Sequence, residues 1–450
     1  MTENRTGKPV GYIELLGSNH NFRHLFFGQL ISQSGDWFNS VALFTLLLQL
    51  TGSSQAVGLV LIIKLLPTFF AGPLAGVVAD RFNRKTIMIV ADVICGCVVL
   101  GFLLIDRPDQ VWLAYLLAAA EILTASFFDP AKSAAIPSIV STEELVSANA
   151  LSAASWSVTL AAGAALGGLV TASFGRNAAF VIDSASFFVS AAFISTVRMR
   201  KRSRHLETKE EQKRSSLYEL LGVADLVEGA RYLRVNSQVA ALLLVKSGWG
   251  LGGGVLLLLT VFGKQIFPIG RDGSASIGLL FAARGLGALI GPIIASRITA
   301  GSASTMRRAI AAAFVVSSVF YLLFAQSPVF LLALLCVVGA HSGGSIQWVY
   351  STTLLQMSVE DKFLGRVFAL DMALVTLAMS VSTYATSWGL DHAGLSPRTM
   401  AMLLGLAFLI PGAVWFLLQR WLDESDANLN ERALAPIEAE PARQTSFPPG

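Results

Sequence analysis

Apolar residues in this chain collect in long runs instead of alternating with polar ones. Twelve runs can be read, at about 25–49, 55–79, 86–105, 111–128, 150–173, 178–197, 238–262, 275–296, 309–326, 328–350, 367–390 and 399–421. Each is close to the roughly 20 residues an α-helix needs to cross a hydrocarbon core about 30 Å thick. The period-2 alternation of a membrane β-barrel is absent from the sequence. Six runs are separated from six by the longest polar stretch, 198–237. The pattern predicts an all-α integral membrane protein of twelve transmembrane helices in two pseudo-symmetric six-helix bundles.

Composition agrees. Of 450 residues 54% are apolar and 14% charged, and mean hydropathy is +0.63. A soluble domain carries about 25% charged residues. Too few charges are present to coat a soluble enzyme of this length. A signal peptide does not account for the excess, because the first twenty residues are polar.

The basic residues divide unevenly. If the N-terminus is cytoplasmic, 25 of the 33 Lys and Arg lie on the cytoplasmic side. Ten fall between Arg198 and Arg234. This asymmetry predicts a multi-pass plasma-membrane protein with both termini inside. The expected units are an N-terminal segment (1–24), a first bundle (25–197), a basic linker (198–237), a second bundle (238–421) and a disordered tail (422–450). Leu217, Leu220, Leu221, Val227 and Leu233 suit one face of a helix lying on the membrane surface. Topology accounts for the linker's charge, so no nucleic-acid partner is expected.

The halves correspond in order. Val57-Gly58-Leu59 to Lys64 matches Ile277-Gly278-Leu279 to Arg284, and Ser34-Gly35 matches Ser247-Gly248. Lys64 and Arg284 are therefore equivalent positions, expected to face one shared water-filled cavity. Charge within a span is costly and points to a cavity or a partner. Asp36 and Glu121 fall near the midplane and are the expected proton carriers. Lys64 is a possible permanent partner for Asp36. Gln33, Trp37, Lys246, Arg284 and His341 are expected in a substrate cavity, with Asn39, Trp249 and Gln347 nearby; for Lys246 the alternative is a carboxylate partner, and for His341 a hydrogen-bonded helix contact. Asp183 is expected to have a structural role, as a cap or as a partner of Arg176. Asp92, two helical turns from Lys85, is expected to support the loop charges. Cys95, Cys97 and Cys336 lie in apolar runs, and no metal or other cofactor is expected. Gly-x-x-x-Gly pairs lack the ending of a phosphate loop, so no ATP module is expected.

The link after the second run reads Gly76-Val-Val-Ala-Asp80-Arg81-Phe-Asn83-Arg84-Lys85. It resembles the G-x-x-x-D-R-x-G-R-R signature of the major facilitator superfamily. Asn83 replaces the usual Gly and is expected to keep the tight turn by adopting a left-handed backbone. The resemblance implies that Gly76, Asp80, Arg81, Arg84 and Lys85 form a cytoplasmic gate latching the two halves. Gly35-Asp36-Trp37-Phe38, Phe127-Phe128-Asp129-Pro130-Ala131, Ala148-Asn149-Ala150-Leu151 and Gly365-Arg366-Val367 resemble the branch containing enterobactin exporters and macrolide efflux proteins. Gly163-Ala164-Ala165-Leu166-Gly167-Gly168 is similar to the antiporter signature, with Ala164 in place of Pro; small residues here also suit close helix packing.

The expected function is secondary active transport: proton-coupled efflux of an amphipathic small molecule (a drug, macrolide-like compound or siderophore) by a monomer among membrane lipids. One alternative is transport of lysophospholipid or another anionic lipid, with Lys64, Lys246 and Arg284 receiving the headgroup. A membrane enzyme would need a reactive cluster, and the five His residues are not clustered within the spans. A sensor would need an output domain.

Overall fold

A computed structural model describes residues 10–199, 223–299 and 302–434. The described chain is helical, without strands. A short helix, α1 (Tyr12–Ser18), precedes the first bundle. That bundle holds α2 (His20–Thr51), α3 (Ser54–Arg81), α4 (Arg84–Leu100), α5 (Val111–Ala125), α6 (Phe128–Ile139), α7 (Thr142–Phe174) and α8 (Arg176–Thr196). The linker helix α9 (Val223–Val235) leads to α10 (Ser237–Gly250), α11 (Val255–Val261) and α12 (Ser274–Ile298). Then come α13 (Ala303–Gln326), α14 (Phe330–Ser358), α15 (Asp361–Asp391), α16 (Pro397–Ala407) and α17 (Leu409–Leu434). Every apolar run falls mainly on helix, with breaks inside the fourth and seventh. Among the described residues ten helical stretches are long and apolar enough to cross a membrane, and Ser54–Leu66 is a shorter apolar one.

Polar side chains set several helix starts by accepting orphan backbone N–H groups. Asn19 accepts from Phe22 N at 2.9 Å, and Ser396 from Thr399 N at 3.1 Å. Asn83 does the same for α4, accepting from Lys85 N at 3.0 Å. Its backbone is extended (φ −67°, ψ 115°), not left-handed. Asn is thus tolerated here as a cap, which corrects the expectation of a left-handed turn.

Three further departures concern continuity. The seventh run is broken between Gly250 and Val255, where Ser382 Oγ donates to Leu251 O at 2.5 Å and accepts from Gly254 N at 3.1 Å. A side chain from α15 thereby satisfies backbone groups that lipid could not. The fourth run continues past its expected end as α6. The last helix extends through Leu434, beyond the expected start of a disordered tail at 422. The linker helix rests on the second bundle, with Glu228 and Arg366 3.2 Å apart and the Tyr232 and Phe363 rings 4.5 Å apart.

Within the first bundle α2 packs on α7 and α8, and α4 on α8. In the second, α14 packs on α12 and α13. The halves meet along two seams, α7 with α12 and α3 with α15. A Cβ on Gly168 would come within 2.7 Å of Ser274 O, and one on Gly278 within 2.4 Å of Ala164 O. Only glycine at both positions permits this backbone contact. On the second seam Asp391 accepts from Ser53 Oγ (2.6 Å), Ser54 N (3.1 Å) and Gln55 N (2.8 Å). Both joints lie toward the bundle end marked by Asp391, opposite the end carrying the Arg84 loop.

Candidate functional site in the N-terminal bundle

Asp36 on α2, Glu121 on α5 and Asp183 on α8 converge inside the first bundle. Carboxylate oxygens of the three lie within 4.8 Å of one another. Glu121 and Asp183 are buried. Lys64 on α3 approaches Glu121 at 3.9 Å and donates to Ser40 Oγ at 3.2 Å. Asn39 Nδ2 donates to Glu121 Oε2 at 2.9 Å. The convergence depends on Gly35: a Cβ there would lie 2.1 Å from Ser186 Oγ and 2.4 Å from Asp183 Oδ1. Three carboxylates thus share one ammonium. Such a set of oxygens is also the kind that could hold a hard cation.

Asp36 lines a cavity of about 90 Å³ between α2, α4, α5, α6 and α8. Gln29, Gln33 and Asp92 line it too, with Asp129 at the end of the cavity toward the Arg84 loop. Asp92 Oδ2 and Gln29 Nε2 are buried without a hydrogen-bond partner. Asp92 therefore belongs to the surroundings of Asp36, where the sequence had placed it beside the loop charges.

Several expected pairings differ. Lys64 takes Glu121, not Asp36, as its carboxylate partner. Arg176 donates to Gln49 Oε1 at 2.5 Å, while Asp183 joins the carboxylate cluster. Sequence proximity suggested the Arg176 pairing; helix packing brings Asp183 to α2 instead. Among the described residues Lys64 and Arg284 meet different neighbours. Arg284 lies over the Trp156 ring of the other half at 5.6 Å.

Lys246 forms a second buried charge site, absent from the sequence expectations in one member. Its Nζ donates to Asp371 Oδ2 at 2.5 Å, and the Trp348 and Phe368 rings stand 5.0 and 5.4 Å away. Lys246 is 1% and Asp371 0% exposed. Asp371, an ionisable residue inside an apolar run, carried the same signal as Asp36 and Glu121.

His341 bonds Tyr321 through Nε2 at 2.9 Å, in the second bundle. Gln33 accepts from Ser155 Oγ at 3.1 Å, and Trp37 stands 5.9 Å from Phe281 across the interface. Gly163 and Gly167 seat α7 on the Ser34–Phe38 stretch of α2. Of the gate residues, Arg84 Nη1 donates to Ala134 O at 2.9 Å, and Lys85 Nζ to Val197 O at 3.0 Å. These bonds tie helix ends within the first bundle. Arg81 is exposed, and the side-chain surroundings of Gly76 and Asp80 lie outside the described residues.

Two helical bundles with buried charges and a seam of small residues describe a transporter scaffold, and the family model of the Major Facilitator Superfamily matches residues 25–383. The chain belongs to that superfamily. Macrolide efflux protein A of Streptococcus pyogenes is 25% identical to this facilitator over 391 residues, 83% of this chain and 90% of that protein. Enterobactin exporter EntS of Escherichia coli O1:K1 / APEC is 25% identical over 413 residues, 90% and 93% of the two chains. Among solved structures, a bacterial homologue of the human lysosomal transporter Spinster, inward-facing and unoccupied, superposes with a TM-score of 0.68. It is 14% identical and covers 89% of this chain and 97% of that one. The facilitator fold and a transport role, not an enzymatic one, follow.

Proposed function

We propose that this facilitator exports an amphipathic small molecule in exchange for protons. The carboxylate cluster carries the reading. Three ionised carboxylates at this spacing repel one another, and Lys64 offsets one charge. Proton uptake relieves the remainder. Cargo entering between the halves changes the hydration and the neighbours of Asp36, and so its hold on the proton. The cavity lined by Asp92 and Gln29 gives the proton a hydrated approach. The efflux-named relatives support outward movement. Their cargoes differ, so the class proposed here is the broad one: amphipathic drugs, macrolide-like compounds and siderophores.

The distribution of Lys and Arg favours an Arg84 end in the cytoplasm. The joints at Gly168 and Asp391 then close the outer face, as in a carrier waiting for cytoplasmic cargo.

Everted vesicles with an imposed pH gradient and labelled erythromycin or enterobactin test this. Active uptake into the vesicles is expected to fall to background in Asp36→Asn/Glu121→Gln. Binding of the same compound to the purified variant is expected to persist. Undiminished gradient-driven uptake by the double variant would remove proton coupling at this cluster.

A further inference from the structure

The second bundle carries a feature that lies apart from the carboxylate cluster. Between α13 and α17 a groove of about 740 Å³ opens outward, away from the interface of the halves. Its walls are apolar and outward-facing: Val315 is 51% exposed and Phe416 45%. Small residues hollow its floor. Gly412 lies against Phe314, where a Cβ would come within 2.9 Å, and Ala312 and Ala413 leave the flanks low.

The end of the groove nearest the Arg84 loop is different. Arg308, near the start of α13, and Arg420, midway along α17, both line it. Among the described residues neither forms an ion pair. The one carboxylate there among the described residues, Asp423, is taken by Arg307, with Nη2 at 2.7 Å and Nε at 2.9 Å. Arg420 rests on the Phe416 ring at 4.6 Å. Gln419 lines the groove, is 6% exposed, and leaves Oε1 buried without a partner. Two cations and an unsatisfied buried amide therefore stand together at the end of an apolar groove, the arrangement expected where a membrane surface meets hydrocarbon.

Dimensions narrow the occupant. From Arg420 back to Leu409 the groove follows eleven residues of α17, roughly 16 Å at 1.5 Å per residue. That is about half of a 30 Å hydrocarbon core, the depth of one leaflet. A ligand filling it has an anionic head at the water boundary and a tail one leaflet long. We propose that this groove is a binding site for an anionic phospholipid. Its phosphate sits between Arg308 and Arg420, and one acyl chain lies along Gly412 and Ala413. Basic pockets between helices at a membrane surface recognise such headgroups. The bound lipid closes the seam between α13 and α17, and the site is independent of whatever the carrier exports.

Native mass spectrometry of the full chain in detergent tests this with phosphatidylglycerol and phosphatidylcholine of identical chains. Two arginines at a membrane surface imply about a thirtyfold preference for the glycerol headgroup. Arg308→Gln/Arg420→Gln is expected to abolish it. Ala312→Trp, which keeps both cations and fills the groove, is expected to weaken binding of phosphatidylglycerol without restoring phosphatidylcholine. If the double variant fails to fold, the wild-type preference and Ala312→Trp decide. Equal retention of both lipids by the wild type would overturn the site. So would an unchanged preference in a folded double variant, full competition by soluble glycerol phosphate, or a dimer formed through this face.

Discussion

The two buried charge sites of this facilitator are both enclosed by helices and differ in almost everything else. In the first bundle three carboxylates cluster, and one of them, Glu121, meets Lys64 at 3.9 Å. A polar cavity adjoins them. In the second bundle one lysine meets one aspartate at 2.5 Å, between aromatic rings and shut from solvent. The first site has surplus acid and access to water. The second is balanced and dry. Surplus acid beside a cavity suits the proton exchange proposed above; a balanced, enclosed pair suits a structural tie between two helices.

That contrast can be broken by substitution. The largest effect is expected at Asp371→Asn, which leaves Lys246 as an unpaired buried cation. Breaking a buried pair costs about 3–5 kcal/mol. Thermal unfolding in detergent should show a large loss, and Lys246→Met/Asp371→Leu should recover most of it. An unshifted melting point for Asp371→Asn would mean the pair is not a structural tie. Gly35→Ala comes next. It forces α2 away from Asp183 and Ser186, an overpacking cost of about 1–3 kcal/mol. It should also lower active efflux, because the cluster is spread. Stability lost with efflux kept would separate the cluster from coupling. The smallest effect is expected at Asp183→Asn. Removing one of three crowded like charges should leave stability within about 1 kcal/mol of wild type, or raise it. A loss as large as that of Asp371→Asn would make the two sites alike.

Much of the fold was legible in the sequence because lipid imposes one rule on every span. A run near 20 apolar residues marks a helix whatever it packs against, so the runs fell on helices, ten stretches of them long and apolar enough to span among the described residues. The faces of those helices were not legible. Lys246 and Asp371 are 125 positions apart, and no local pattern joins them. Asp183 looked like a partner for Arg176 because they are neighbours in sequence, yet helix rotation turns it to Asp36. Ion pairs inside a bundle are decided by rotation and tilt, which hydrophobic length does not encode. Asn83 shows the same limit on a smaller scale: its side-chain chemistry suited either a turn or a cap, and the cap prevailed.

The crossing of Gly168 and Gly278 gives the molecule a fulcrum placed off-centre. On α7, Gly168 is six residues from Phe174 and twenty-six from Thr142. The long arm therefore measures roughly 39 Å at 1.5 Å per residue. A rotation of about 10° at the crossing would sweep its tip through roughly 7 Å while the short arm moves only about 1.5 Å. The geometry is that of tweezers: a slight turn where backbones touch becomes a wide opening at the far end.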